Sequence, residues 1–194
     1  MALAQPQAFF DSIREVLFRG ILNQGQVSGM NAILAAWSSQ KVDSRFVAYA
    51  LATAYWETAQ KMLPVREDGE GRGRPYGKPV PPWNQVYYGR GLVQLTWYDN
   101  YDKVDERLRA LGGLAPGEDL TKSPDMALRP DIASEIMVVG MMEGIFTGAK
   151  LADFFSDKTN DAFHARMIIN GLDHAADIAG FHLHFCDALK AGGY

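Results

Sequence analysis

Residues 46–70, FVAYALATAYWETAQKMLPVREDGE, constrain the fold of this chain more than any other stretch. From Phe46 to Glu57 there is no Gly or Pro and Ala recurs, a composition that predicts helix. Ala50, Thr53, Ala54 and Glu57 fall at i, i+3, i+4 and i+7, so Glu57 stands on a face of small residues turned toward packed protein or a cleft. Pro64 bounds the helix before it reaches Glu67. Two carboxylates therefore flank a change from helix to a polar, glycine-rich loop.

That arrangement has chemical content. Glu57 lies near the C-terminal end of its helix, where the dipole disfavours negative charge, and partial burial beside Tyr55 and Trp56 would act the same way. Both effects favour a protonated acid. Glu67 has Arg66, Arg72 and Arg74 close in sequence, and positive neighbours favour an ionised base. Two carboxyls in environments of opposite tendency suit an acid/base pair. The plainer alternative is that each is a solvated surface Glu.

The rest of the chain reads as a mostly helical domain spanning residues 1–194. Its length allows a sizeable core. The net charge of −4, with no basic patch or tail, argues against a nucleic-acid partner. Cys186 is the only cysteine, so no internal disulfide forms and packing must hold the fold. The start lacks a basic region and meets Asp11, Arg14 and Glu15 too early for a signal peptide, so synthesis in the cytoplasm is expected. Residues 132–148 form the most apolar run, but it carries Glu135 and Glu143 and is too short to span a bilayer. No stable membrane insertion is expected.

Helices are predicted over 7–23, over 30–40 with Ser28 as cap, and from an Asp43 or Ser44 cap through Glu57. Further helices are expected over 98–111 with a stop at Gly112, then 131–146, 149–155, 161–170 and 173–189. Short strands are predicted over 86–88 and 92–96, around Gly89-Arg90-Gly91. Residues 69–82 are rich in Gly and Pro, yet their spacing fits neither nucleotide motif, so the loop is expected to line a cleft. His164, His174, His182 and His184 show no ligand spacing, and Cys186 in an apolar helix reads as a small core residue. No metal or cofactor is expected.

The segment Tyr87-Tyr88-Gly89-Arg90-Gly91, followed by Gln94-Leu95-Thr96 and Asn100-Tyr101, resembles a motif of glycoside hydrolase family 19. Ala54-Tyr55-Trp56-Glu57-Thr58 resembles the helix that carries that family's catalytic Glu, with Trp56 where His is usual. Ile169-Asn170-Gly171 matches its C-terminal pattern. The resemblance runs from about Gln24 onward and is closer to compact bacterial and phage-type lysins than to plant enzymes. It implies a lysozyme-like helical fold with two lobes, at most a small β element, and a central cleft. It also implies inverting hydrolysis of β-1,4 links between N-acetylated amino sugars. On that resemblance Glu57 is the general acid and Glu67 the base, with Asp68 and Glu70 as rivals. Thr96 holds the water or substrate, and Asn100 and Asn170 bind sugar groups. Tyr88 is counted with the substrate-binding residues, and Gln94 and Arg90 order the cleft wall. Tyr76, Trp83, Tyr87, Trp97 and Tyr98 offer flat faces suited to sugar rings. Peptidoglycan is the expected substrate, as for an endolysin released through a holin pore. Chitin is the alternative, and a non-catalytic wall-binding protein on the same fold is a further one.

Overall fold

The computed structural model describes residues 2–194 and is mainly helical, as expected. Seven α-helices occur among the described residues: α1 (Pro6–Phe18), α2 (Gln24–Trp37), α3 (Ser44–Glu57), α4 (Tyr98–Leu111), α5 (Pro130–Glu143), α6 (Leu151–Phe154) and α7 (Ala175–Ala191). The β element is a pair of two-residue strands, β1 (Val65–Arg66) and β2 (Arg90–Gly91), antiparallel with Val65 opposite Gly91 and Arg66 opposite Arg90.

α3 is the centre. Every residue from Phe46 to Tyr55 is buried, so the helix is covered all round. Its N-terminus is fixed by Asp43, whose carboxylate accepts from the Arg45 N–H at 2.9 Å. α7 packs along α3 and against α1, while α5 carries α2 and α4. Phe9, Ile13, Met30, Ile33, Trp37, Leu51 and Phe185 fill the space between them. Each such fully buried side chain contributes about 1.5–3 kcal/mol of apolar burial. Among the described residues no helix is long and apolar enough to cross a membrane.

Several boundaries differ from the sequence reading, for local reasons. α1 stops at Phe18 because Arg19 turns left-handed (φ 54°) and Gly20 follows it. α2 starts at Gln24, since Asn23 and Gln26 form a reciprocal capping box; Ser28 is one turn inside the helix and caps nothing. α5 stops at Glu143, where Gly144 takes a left-handed cap at φ 73°. α6 is only Leu151–Phe154. Residues His164–Ile168 form a short 3-10 helix instead of the predicted α-helix. The strands predicted over 86–88 and 92–96 are not formed: Gly89-Arg90-Gly91 itself supplies β2, and its partner β1 lies upstream. Gly91 (φ 90°) permits this, because a Cβ there would stand 2.9 Å from the Ala127 carbonyl oxygen.

α3 ends at Glu57, well before Pro64. The Thr58 hydroxyl donates to the Ala54 carbonyl at 2.7 Å and accepts from the Met62 N–H at 2.9 Å. Ala59, Gln60 and Met62 then take positive φ, an uncommon run for residues other than Gly. The turn is held against α2, where a Cβ on Gly29 would fall 1.7 Å from the Met62 carbonyl oxygen. The last residue of the central helix is thereby a carboxylate on a fixed corner.

Candidate active site

Glu57 does not meet the groups its sequence neighbours suggest. The Tyr55 hydroxyl donates to the Leu17 carbonyl at 2.5 Å, and the Trp56 ring lies 4.3 Å from the His174 ring. Its carboxylate instead accepts from the guanidinium of Arg166 at 2.5 Å, a residue 109 positions away in sequence. The Arg166 side chain is 5% exposed and that of Glu57 is 13% exposed, so the pair is largely out of water. Arg166 also donates from Nε to the Asp173 carbonyl at 3.1 Å, which fixes the guanidinium plane. Among the described residues only one oxygen of Glu57 is engaged, and the other has no protein partner.

Glu67 is held differently. β1 runs into it, and its backbone N–H donates to the Gly89 carbonyl at 2.8 Å. Its carboxylate accepts from the Gly89 N–H at 3.0 Å and from the Tyr76 hydroxyl at 2.8 Å. Burial, and then the hydrogen bond to Glu67, raise the Tyr76 phenol above its usual range. The expected arginine neighbours are not the partners of Glu67. Arg66 turns to Asp125 and to the Tyr88 hydroxyl, and Arg72 and Arg74 are exposed. Asp68 and Glu70, the rival bases, are exposed and stand outside the cleft lining.

Both glutamates line one open cleft of about 760 Å³. Gln94, Thr96, Trp97, Asn100 and Asn170 line it too, as does Tyr76, whereas Tyr88 and the other expected ring platforms Trp83, Tyr87 and Tyr98 do not. Tyr88 is a correction. Its ring is buried beneath the Arg90 guanidinium, 3.5 Å from it, and its hydroxyl is taken by Arg66 at 2.6 Å. It braces the wall and presents no face to the cleft.

The wall is organised from within. Arg90, 4% exposed, donates to Asp125 and to the Val86 and Tyr88 carbonyls. Burial pushes the Asp125 carboxyl up, but the guanidiniums of Arg66 and Arg90 outweigh it and hold the group below its ordinary value. Gln94 donates to the Val65 carbonyl at 3.2 Å and packs so tightly on Gly89 that a Cβ there would come within 2.7 Å of it. Thr96 donates to the Gln94 carbonyl at 2.7 Å, which leaves its oxygen free to accept. Asn100 donates to the Thr96 carbonyl at 3.1 Å. Trp97 adopts φ 73° and is 49% exposed as a residue, and Tyr76 meets its ring edge-on at 5.3 Å. A strained backbone that leaves a large aromatic ring in water, beside two carboxylates, is a common mark of a binding site.

Sequence reasoning missed Arg166, the Tyr76 and Gly89 donors to Glu67, and the far wall of Phe146, Thr147, Met167 and Ile169. The one available signal was Arg166 itself, a charge inside the otherwise apolar run 165–169.

No protein-family model and no curated protein sequence matches the chain. Solved structures do. A family 19, class IV chitinase from Zea mays superposes with a TM-score of 0.59 at 17% identity, over 94% of this chain and 91% of the maize one. Chitinase C from Streptomyces griseus aligns over 92% of this chain and 77% of its own, at 19% identity and a TM-score of 0.46. The maize comparison carries the conclusion: this chain has the fold of a family 19 chitinase.

Proposed function

We propose that the protein is an inverting glycoside hydrolase that cleaves β-1,4 bonds between N-acetylated amino sugars. The observation that carries this reading is the cleft, in which Glu57 and Glu67, positioned by unrelated elements, face the same space beside the exposed Trp97 ring. Arg166 occupies one oxygen of Glu57, so the other is the one that would pass a proton to the leaving oxygen. Glu67, fixed by Tyr76 and Gly89, takes a proton from the attacking water, whose approach Thr96 directs. Inversion needs carboxyls separated enough to admit that water, roughly 6.5–9.5 Å apart. Trp97 offers a flat apolar face to a sugar ring, and the amides of Asn100 and Asn170 suit N-acetyl and hydroxyl groups.

Peptidoglycan is the preferred substrate and chitin the alternative; the open cleft supports a branched polymer as readily as a plain one. The test pairs two assays. Purified protein is applied to permeabilised Gram-negative cells, with muropeptides followed by mass spectrometry, and to chitin oligomers. Fresh product is examined by proton NMR, where the α-anomer should precede the β-anomer. β-Anomer first would contradict inversion. Walls left intact while chitin oligomers shorten would move the assignment to chitinase. Folded protein inert on both would leave a non-catalytic wall-binding role.

A further inference from the structure

The two donors that hold the Glu67 carboxylate are not equivalent. The Gly89 N–H, which donates to Oε2 at 3.0 Å, is backbone, locked by the reciprocal bond from the Glu67 N–H to the Gly89 carbonyl at 2.8 Å. The Tyr76 hydroxyl, which donates to Oε1 at 2.8 Å, is the end of a half-buried side chain on the loop after β1. The backbone of that loop is fastened. The Arg72 N–H donates to the Gly69 carbonyl at 2.9 Å, the Arg74 N–H to that of Gly71 at 2.9 Å, and the Gly77 N–H to that of Arg74 at 3.0 Å. The loop closes on itself so tightly that a Cβ on Gly77 would fall 1.8 Å from the Gly71 carbonyl oxygen. The freedom that Tyr76 keeps therefore lies in its ring. That ring meets Trp97 edge-on at 5.3 Å, and Trp97 is itself 49% exposed, so the contact that steadies the hydroxyl is open to a ligand.

Tyr76 and Trp97 also belong to two spaces at once. With Asn100 and Phe146 they line both the main cleft and a second hollow of about 370 Å³. Tyr87 and Tyr98, the ring platforms that the main cleft lacks, are in the wall of the second, with Pro75 and Val80. Its lining holds one cation, Lys103, and one carboxylate, Asp99. A hollow walled mostly by rings suits a sugar unit. A glycan that crosses Trp97 from one space to the other has to pass the Tyr76 ring, which walls both. Binding energy gained at a remote unit can go into orienting groups at the reacting bond, and a truncated substrate then loses turnover and not only affinity.

We propose that Tyr76 couples glycan length to turnover: a chain that continues past Trp97 into the second hollow pins the Tyr76 ring, whose hydroxyl then holds the Glu67 carboxylate in its working orientation. Tyr76 is thus a positioning residue that acts through Glu67. The inference rests on the hydrolase reading above. Its test compares the wild type with Y76F, which keeps the ring against Trp97 and removes only the hydroxyl, with thermal melts confirming an unchanged fold. Substrates are two series of graded length, peptide-bearing strands freed from sacculi by an endopeptidase and chitin oligomers, and the test is read on each series that the wild type cleaves. Wild-type kcat should rise about tenfold from the shortest cleaved chain to those that reach the hollow, while KM falls along the same series. In Y76F the fall in KM should persist while kcat stays flat, so the deficit of the variant grows with length to about tenfold. In an E67Q background Y76F should add no further loss. A Y76F deficit equal at every length would make Tyr76 a static brace and overturn the coupling. So would a wild-type kcat independent of length, a Y76F kcat that still rises with length, or a full Y76F loss added to that of E67Q. Each of those outcomes leaves hydrolysis standing, whereas wild-type protein inert on both series would remove the hydrolase reading itself.

Discussion

Arg166→Ala should be the most informative change outside the two glutamates. The substitution leaves the Glu57 side chain, only 13% exposed, without its cation, and leaves the Asp173 carbonyl without its donor. Removing one partner of a buried pair costs about 3–5 kcal/mol, because the remaining charge is stranded. For a chain of this size that is on the order of 10 °C in melting temperature. The effect on turnover should exceed the effect on substrate binding, since Arg166 touches Glu57 and stands outside the cleft lining. If Glu57 is the acid, as proposed, misplacing it by about 1 Å is enough for roughly a hundredfold loss in kcat. The assay is a double-mutant cycle of R166A and E57A, read by urea denaturation. If the pair is coupled in solution, the double variant should be more stable than additivity predicts by about 2 kcal/mol or more. Strict additivity, with kcat of R166A near wild type, would refute the claim that Arg166 holds the acid.

Three further outcomes follow from the same geometry. Glu57→Gln and Glu67→Gln should each lower kcat by about 10²–10⁴ with the fold retained, while Glu70→Gln, at an exposed position outside the cleft, should leave it near wild type; damage by the last change alone would move the base. His182 is buried against Tyr49, Phe155 and the Cys186 sulfur, and burial first, then Arg45, lower it from 6.5 to about 4. The unfolded chain binds that proton near pH 6.5 and the folded one only near 4, so stability is full above 6.5 and falls by about 3 kcal/mol as pH drops through that window. The lowered carboxyls of Asp43, Asp125 and Asp131 act only below about 3.8, so a pH series of denaturation curves separates the two, and H182N should abolish the upper slope. Gly29→Ala should cost about 3 kcal/mol, since its Cβ would meet the Met62 backbone; a melt within error of wild type would mean that the turn after α3 does not rest on α2.

Local chemistry was legible wherever neighbours in sequence supply the cause. Asp43 caps α3 because its side chain reaches a backbone N–H two residues on, and α4 spans residues 98–111 because Gly112 can turn left-handed after it. Glu57 and Glu67 were singled out from residues alone, because a carboxylate ending a buried helix and another opening a loop are both visible in a string. The Asn23–Gln26 capping box was equally local and was passed over in favour of Ser28, a turn later. What the string does not hold is the identity of partners brought together by packing. Arg66, adjacent to Glu67, pairs with Asp125, whereas Arg166, 109 residues from Glu57, is the one that reaches it. Tyr88 belongs to the same motif as Gln94 and Asn100, yet burial under Arg90 removes it from the cleft. Side chains next to each other along an extended segment point to opposite sides, so sequence proximity fixes neither a carboxylate's counter-ion nor an aromatic ring's exposure. Those are decided by which helices pack, and the register of two short strands then determines which groups share the cleft.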